Sequence, residues 1–210
     1  YKQPVKGHTY LVALDPSVGT GGDNAAIQVF DASTFDQVAE WQHNKTPIQG
    51  QIKLLKDIIE HLHKTTESTN DIYYSVENNG VGEAALVAIG DVGEDNILGA
   101  FVSESGTTRR FRKGFFTSNK TKIAACAKFK QLVENSQLTL HSKNLLSELK
   151  TYVAVGNTYQ ARQGDTDDLV SAALVIIRIL QTMQTYDTKI DLTMRDSTEN
   201  FEMPLPFVMW

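Results

Sequence analysis

The chain has 210 residues, 41% of them hydrophobic, and 20 Lys and Arg against 25 Asp and Glu give a formal net charge of −5. That length holds one large domain or two small ones with a sizeable core. The apolar stretch ALVII near position 175 is too short to span a bilayer, no charged-then-apolar signal segment opens the chain, and the single Cys126 excludes an internal disulfide or a Cys-only zinc site.

TYLVALD (9–15) and AAIQVFD (25–31) read as strands, separated by a loop of glycines. DQVAEWQ (36–42) reads as a third strand after a turn at AST, so the first three form an antiparallel meander. Pro47 opens a helix whose apolar residues Ile48, Ile52, Leu55, Ile58, Ile59 and Leu62 recur at helical spacing. DIYYSVE (71–77) is a fourth strand, followed by glycines and a helical AALVAIG. ILGAFV (97–102) is a fifth, and a long polar, basic connection runs from Ser103 to Ser118.

KTKIAACAKFKQLVEN then shows a helical apolar face through Ile123, Ala127, Phe129 and Leu132 or Val133. LTLH reads as a short strand, NLLSELKTYV as a helix, and TYQA as a brief extended segment. DTDDLVSAALVIIRILQTM is a strong helix with acids at its N-terminal end. The residues from about 187 to 210, with Pro204 and Pro206, carry no sustained pattern. The expectation is therefore α/β, with one domain over 1–186 and a C-terminal tail over 187–210. A chain that starts at Tyr1 instead of Met is expected of a domain taken from something longer. The lone Cys fits a reducing compartment.

The charge is unevenly spread. No Asp or Glu lies between Ser105 and Val133, whereas Arg109, Arg110, Arg112, Lys113, Lys120, Lys122, Lys128 and Lys130 all do. Clustered positive charge suits a polyphosphate backbone whatever the global sum. The lysines alone are equally explained as a solvated helix face, but RRFRK is less so.

The acids carry the chemistry. Asp15 ends the first strand, Glu77 ends the fourth, and Asp167 and Asp168 begin the last long helix. Singly, Asp15 could cap a turn, Glu77 could be an exposed strand end, and Asp165, Asp167 and Asp168 could cap a helix. If strands one and four are neighbours, Asp15 and Glu77 meet at one sheet edge, and the helix start can add Asp168. Such carboxylates repel one another unless a cation neutralises them. Oxygen ligands without His or Cys favour Mg²⁺ or Mn²⁺, and two such ions about 4 Å apart support phosphodiester hydrolysis. Asp23 is either a fourth acid or a turn residue accepting backbone amides. His61 and His63 point to different faces of one helix, while His43 and His141 could approach a site or simply lie on the surface. Neither a GxxxxGK[ST] phosphate loop nor a GxGxxG dinucleotide fingerprint occurs.

The order LDPSVGTGGD, VENNGVG, TSNKTK leading into a helix, and GDTDDLVSA resembles the nuclease domain of large terminase subunits of T-even-type tailed phages. The resemblance runs from about Tyr10 to about Met183. It implies a ribonuclease H-like fold, a mixed central sheet flanked by helices. It further implies two divalent ions, Mg²⁺ or Mn²⁺, held by Asp15, Glu77 and Asp168, with Asp167 adjacent and Asp23 auxiliary. Thr166 stands where the family often carries His. The activity implied is endonucleolytic cutting of concatemeric double-stranded DNA during genome packaging. Arg109, Arg110, Arg112, Lys120 and Lys122 would guide backbone phosphates. The implied partners are a packaging ATPase domain in the same full-length chain, a portal protein and a small terminase subunit. The setting would be the host cytoplasm at an assembling capsid, with no membrane and no secretion. Three other readings stand beside it: a junction resolvase of ribonuclease H type, an actin-like ATP-binding domain, and a non-catalytic DNA-binding module.

Overall fold

The computed structural model describes residues 1–104 and 113–184. Strands β1 (Tyr10–Asp15), β2 (Ala25–Asp31) and β3 (Asp36–His43) form the antiparallel meander. Helix α1 (Ile48–Thr66) then carries the chain to β4 (Ile72–Val76), which lies parallel to β1 on its free side. Beyond it lies β5 (Ala100–Phe101), also parallel, giving the order β3-β2-β1-β4-β5. The sheet is mixed, as expected, and β1 lies at its centre.

Period-two alternation sorts the strands into two cores. Tyr10, Val12 and Leu14 of β1, with Ile72, Tyr74 and Val76 of β4, pack against Ile52, Leu55 and Ile59 of α1 and against α2 (Gly82–Val92). Leu11 and Ala13 face the other way, into a core with α3 (Asn119–Glu134), α4 (Lys143–Thr151) and α5 (Asp168–Met183). Helix α5 is apolar nearly all round because it is covered on every side, by β1, β2 and β4 beneath and by α3 and α4 above. Between α4 and α5 the chain makes a hairpin of β6 (Tyr152–Val155) and β7 (Thr158–Ala161). Among the described residues no helix is long and apolar enough to cross a membrane.

Three boundaries differ from expectation. The fifth strand is two residues long instead of spanning 97–102, because Gly99 turns at φ +106° against the Ile72 carbonyl and Ile97 is buried before it. LTLH makes a single bridge, Thr139 to Asp36, at the edge of β3. Tyr152 and Val153, expected at the end of a helix, open β6: Tyr152 is already extended (φ −82°, ψ 108°), and TYQA supplies the partner strand. The remainder of the expected tail, from 187 onward, lies outside the described residues.

Gly82 marks a close approach that matters to the site. Its amide donates to the Asn79 carbonyl at 2.9 Å, and a Cβ there would stand 2.0 Å from the Glu77 carbonyl oxygen. Ala is ordinarily the better helix residue. Here the overlap should reverse that preference, and Gly82→Ala is expected to lower stability by about 1–3 kcal/mol. Urea unfolding should show a lower midpoint at unchanged slope, and an unchanged or raised midpoint would refute the overlap.

Candidate active site

Parallel pairing of β1 with β4 brings the first two acids together. The register ends at Leu14 opposite Val76, and the Glu77 amide donates to the Leu14 carbonyl at 2.9 Å, so Asp15 and Glu77 leave the sheet as neighbours. Both have the parity of Leu11 and Ala13, so both face α5. Burial pushes the Asp15 carboxyl well above the ordinary range, and Glu77, Asp168 and Asp167 push it further. Asp168, the first residue of α5, is also raised by burial, with Asp167 and Asp23 adding to the effect and a hydrogen bond from Asn24 opposing it. Asp15, Asp167 and Asp168 open onto a cavity of about 460 Å³ also lined by Ser17, Asp23 and Asn24, whereas Glu77 is not part of its lining.

Neutral amides hold these acids. Asn24 Nδ2 donates to Asp168 Oδ2 at 3.0 Å. Asn79 Nδ2 donates to Glu77 Oε1 at 3.1 Å and to the Thr117 carbonyl at 3.0 Å, while Asn79 Oδ1 accepts from the Thr117 amide. The glycine loop between β1 and β2 is pinned by buried Gln51 of α1, whose Nε2 donates to the Ser17 and Thr46 carbonyls. Gly19 is required there: it lies at φ +75°, and a Cβ would stand 2.2 Å from the Thr46 carbonyl oxygen.

Asp167 occupies the N-cap position of α5 but makes no cap hydrogen bond with its side chain. Its Oδ2 accepts from the Ala161 amide at 3.3 Å and lies 3.8 Å from Lys122 Nζ. The amide of Val170 in that first turn is instead satisfied by Glu148 of α4, at 3.1 Å. Asn24, Asn79 and Glu148 were not foreseen. The two asparagines stand beside flagged acids, in GGDN and VENN, which was a usable signal. For Glu148 the only sign was a carboxylate at the apolar spacing of Leu145 and Leu149.

The expected DNA contacts divide. Arg109, Arg110 and Arg112 lie outside the described residues. Lys120 is exposed in the first turn of α3. Lys122 is drawn inward, against Asp167 and 5.5 Å from the ring centre of Tyr152. Asp23 is exposed at the rim of the cavity and acts on Asp168 through charge. Neither His43, bonded to Thr46 at 2.8 Å, nor His141, 3.4 Å from Asp36, lines the cavity.

The donor set is all oxygen, which fits a hard divalent cation. Among the described residues no three acid, His or Cys side chains converge at chelating distance. Asp168 is engaged by Asn24, so a cation bound through that carboxylate oxygen would have to displace the contact.

The family model described as Terminase RNaseH-like domain matches residues 12–178. Among solved structures, the large terminase nuclease of thermophilic phage G20c with bound magnesium superposes with a TM-score of 0.62 at 17% identity, covering 83% of each chain. The large terminase nuclease domain of Thermus phage P74-26 gives 0.59 at 16% identity, over 83% of this chain and 81% of that one. The human cytomegalovirus terminase nuclease domain gives 0.60 at 14%, over 88% and 86%. The expected ribonuclease H-like fold, a mixed sheet flanked by helices, is thus the fold found.

The raised carboxyls set a pH dependence. Asp15 and Asp168 hold their protons more tightly in the folded chain than in the unfolded one. Their contribution is therefore fully present at low pH and is lost as the pH rises from the ordinary carboxyl value of 3.8 through the raised ones. With EDTA present, Asp15→Asn should flatten this loss and melt above the wild type at pH 8, by about 2–4 °C for each kcal/mol of repulsion removed. Equal melting curves for the two proteins across pH 5 to 8 would refute the repulsion.

Proposed function

The chain belongs to the Terminase RNaseH-like domain family, and from that premise we propose that it is the nuclease domain of a large terminase subunit. In this reading it is a divalent-metal-dependent endodeoxyribonuclease that cuts concatemeric double-stranded viral DNA during genome packaging. One observation carries the proposal: two acids leave adjacent parallel strand ends side by side, and a third acid from a helix start acts on Asp15. A folded protein has little reason to retain that repulsion unless a cation relieves it. Solved G20c nuclease structures with magnesium, cobalt and zinc, and a manganese-soaked cytomegalovirus domain, support divalent cations as the cofactor class.

Asp15, Glu77 and Asp168 are the proposed ligands of two ions, Mg²⁺ or Mn²⁺, with Asp15 shared between them. Bound there, the pair would supply an activated water and stabilise the leaving oxygen. Asp168 is the better candidate of the aspartate pair, because it acts more strongly on Asp15 than Asp167 does and Asp167 is taken up by Ala161 and Lys122. Asn24 and Asn79 orient Asp168 and Glu77 without neutralising them. Asp23 adds negative charge at the rim. Lys120 and the arginines of the 105–112 connection would hold backbone phosphates, which demands little base specificity. The packaging ATPase domain of the same full-length chain, a portal protein and a small terminase subunit are the proposed partners. The T-even-type affinity and the setting, host cytoplasm at the assembling capsid, belong to the same proposal.

Asp15→Asn should reduce Mn²⁺-dependent plasmid cleavage by about 100-fold or more, since even outer partners of a bound metal are worth 10- to 100-fold. The variant's far-UV spectrum should match the wild type, and retained cutting would overturn the ligand assignment. Running linear duplex beside a four-way junction separates packaging-type cutting from junction resolution, which would prefer the junction. Lys120→Ala should weaken duplex binding and lower the slope of log affinity against log salt by about 0.9, as one lost phosphate contact does. Lys122→Ala should change that slope less, because its ammonium already faces Asp167.

A further inference from the structure

Glu148 is a charged side chain in an apolar place. It lies on the inner face of α4 between Leu145 and Leu149 and is 7% exposed. Its carboxylate accepts three hydrogen bonds, all from neutral donors. Gln42 Nε2 of β3 reaches Oε1 at 2.9 Å and Thr166 Oγ1 reaches the same oxygen at 3.1 Å. The Val170 amide of α5 reaches Oε2 at 3.1 Å. Burying such a group without a cation costs stability, and an apolar residue of similar volume would serve the core as well or better. Packing alone does not explain it.

The three donors tie β3, the approach to α5 and the first turn of α5 to a single side chain. The leading amides of a helix lack partners within it and are usually satisfied by the side chain at the N-cap. In α5 that residue is Asp167, and its side chain makes no such bond. A carboxylate cannot both turn back onto its own helix and face the cavity. With Val170 served by Glu148, Asp167 is left to meet Ala161 and Lys122 on the cavity wall. Asp168, one residue on, is left to Asn24 and Asp15.

We infer that Glu148 is a positioning residue: it caps α5 from outside the helix, and so directs the Asp167–Asp168 pair into the acid cavity. The inference rests on the metal-centre reading proposed above. Glu148→Gln keeps the shape but leaves one acceptor oxygen for three donors and turns an NH₂ toward one of them. Thr166→Val removes a single donor from an exposed position.

The test is Mn²⁺ binding itself, by titration calorimetry and by the electron paramagnetic resonance signal of the free ion, with melting temperatures read with and without Mn²⁺. Asp168→Asn and Leu62→Ala, the latter a core change on α1 on the opposite sheet face, are the comparisons. Glu148→Gln should raise the Mn²⁺ dissociation constant about 10-fold or more, and shrink the Mn²⁺-induced rise in melting temperature accordingly. Thr166→Val should shift binding less and in the same direction. Leu62→Ala should melt lower while binding Mn²⁺ as the wild type does. Wild-type affinity in Glu148→Gln, or an equal loss in Leu62→Ala, would overturn the role of Glu148. A wild type that binds Mn²⁺ no better than Asp168→Asn would instead overturn the metal centre on which that role rests.

Discussion

The site depends on the parallel pairing of β1 with β4. That pairing fixes which residues leave the sheet side by side, and alternation fixes the face on which they emerge. Asp15 and Glu77 satisfy both conditions, so two carboxyls meet beneath a helix that brings a third. Two unit charges 4 Å apart repel by about 4 kcal/mol at the effective dielectric of a protein surface region. Burial and the neighbouring acids hold the Asp15 carboxyl well above the ordinary range, and hydrogen-bonding amides support the acids around it. A one-residue slip in the pairing would send Glu77 into the α1 core and dissolve the arrangement.

The supporting residues are nearly all amides. Asn24, Asn79, Gln42 and Gln51 donate to acids or loop carbonyls at the carboxyl end of the sheet. An amide fixes the direction of a carboxylate without cancelling its charge, so the cavity stays strongly negative. Lys122 is the exception, and it falls on Asp167, the acid that contributes least to the displacement of Asp15. Orientation and neutralisation are thereby separated: the amides supply the first and leave the second undone.

Most of the fold was readable in the sequence because its elements carry strong periodicity. The first two strands are short aliphatic runs broken by glycines, α1 shows one apolar stripe, and α5 is apolar almost throughout. β5 and LTLH misled because apolar content cannot tell a paired strand from an extended segment held by one bridge. Within the site, strand ends and a helix start were enough to single out Asp15, Glu77 and Asp168, and β1–β4 adjacency was the one tertiary condition required. Glu148 escaped because its function depends on a helix 20 residues further along the chain, which no local pattern encodes. The hairpin of β6 and β7 was half visible: TYQA read as extended, but its partner was hidden in the last turn of a helix.

Helix α5 holds two offices at once. Its interior fills the space between the sheet and α3, and its first residue is the third acid. Asn24 meets Asp168 across 144 positions of chain. During synthesis, strands carrying Asp15 and Glu77 emerge long before that helix, and the core on their α5 side cannot close without it. The same docking event therefore completes the hydrophobic interior and assembles the acid cluster. Until it occurs, the growing chain has neither a finished core nor the means to cut, so competence for hydrolysis is tied to the completion of folding.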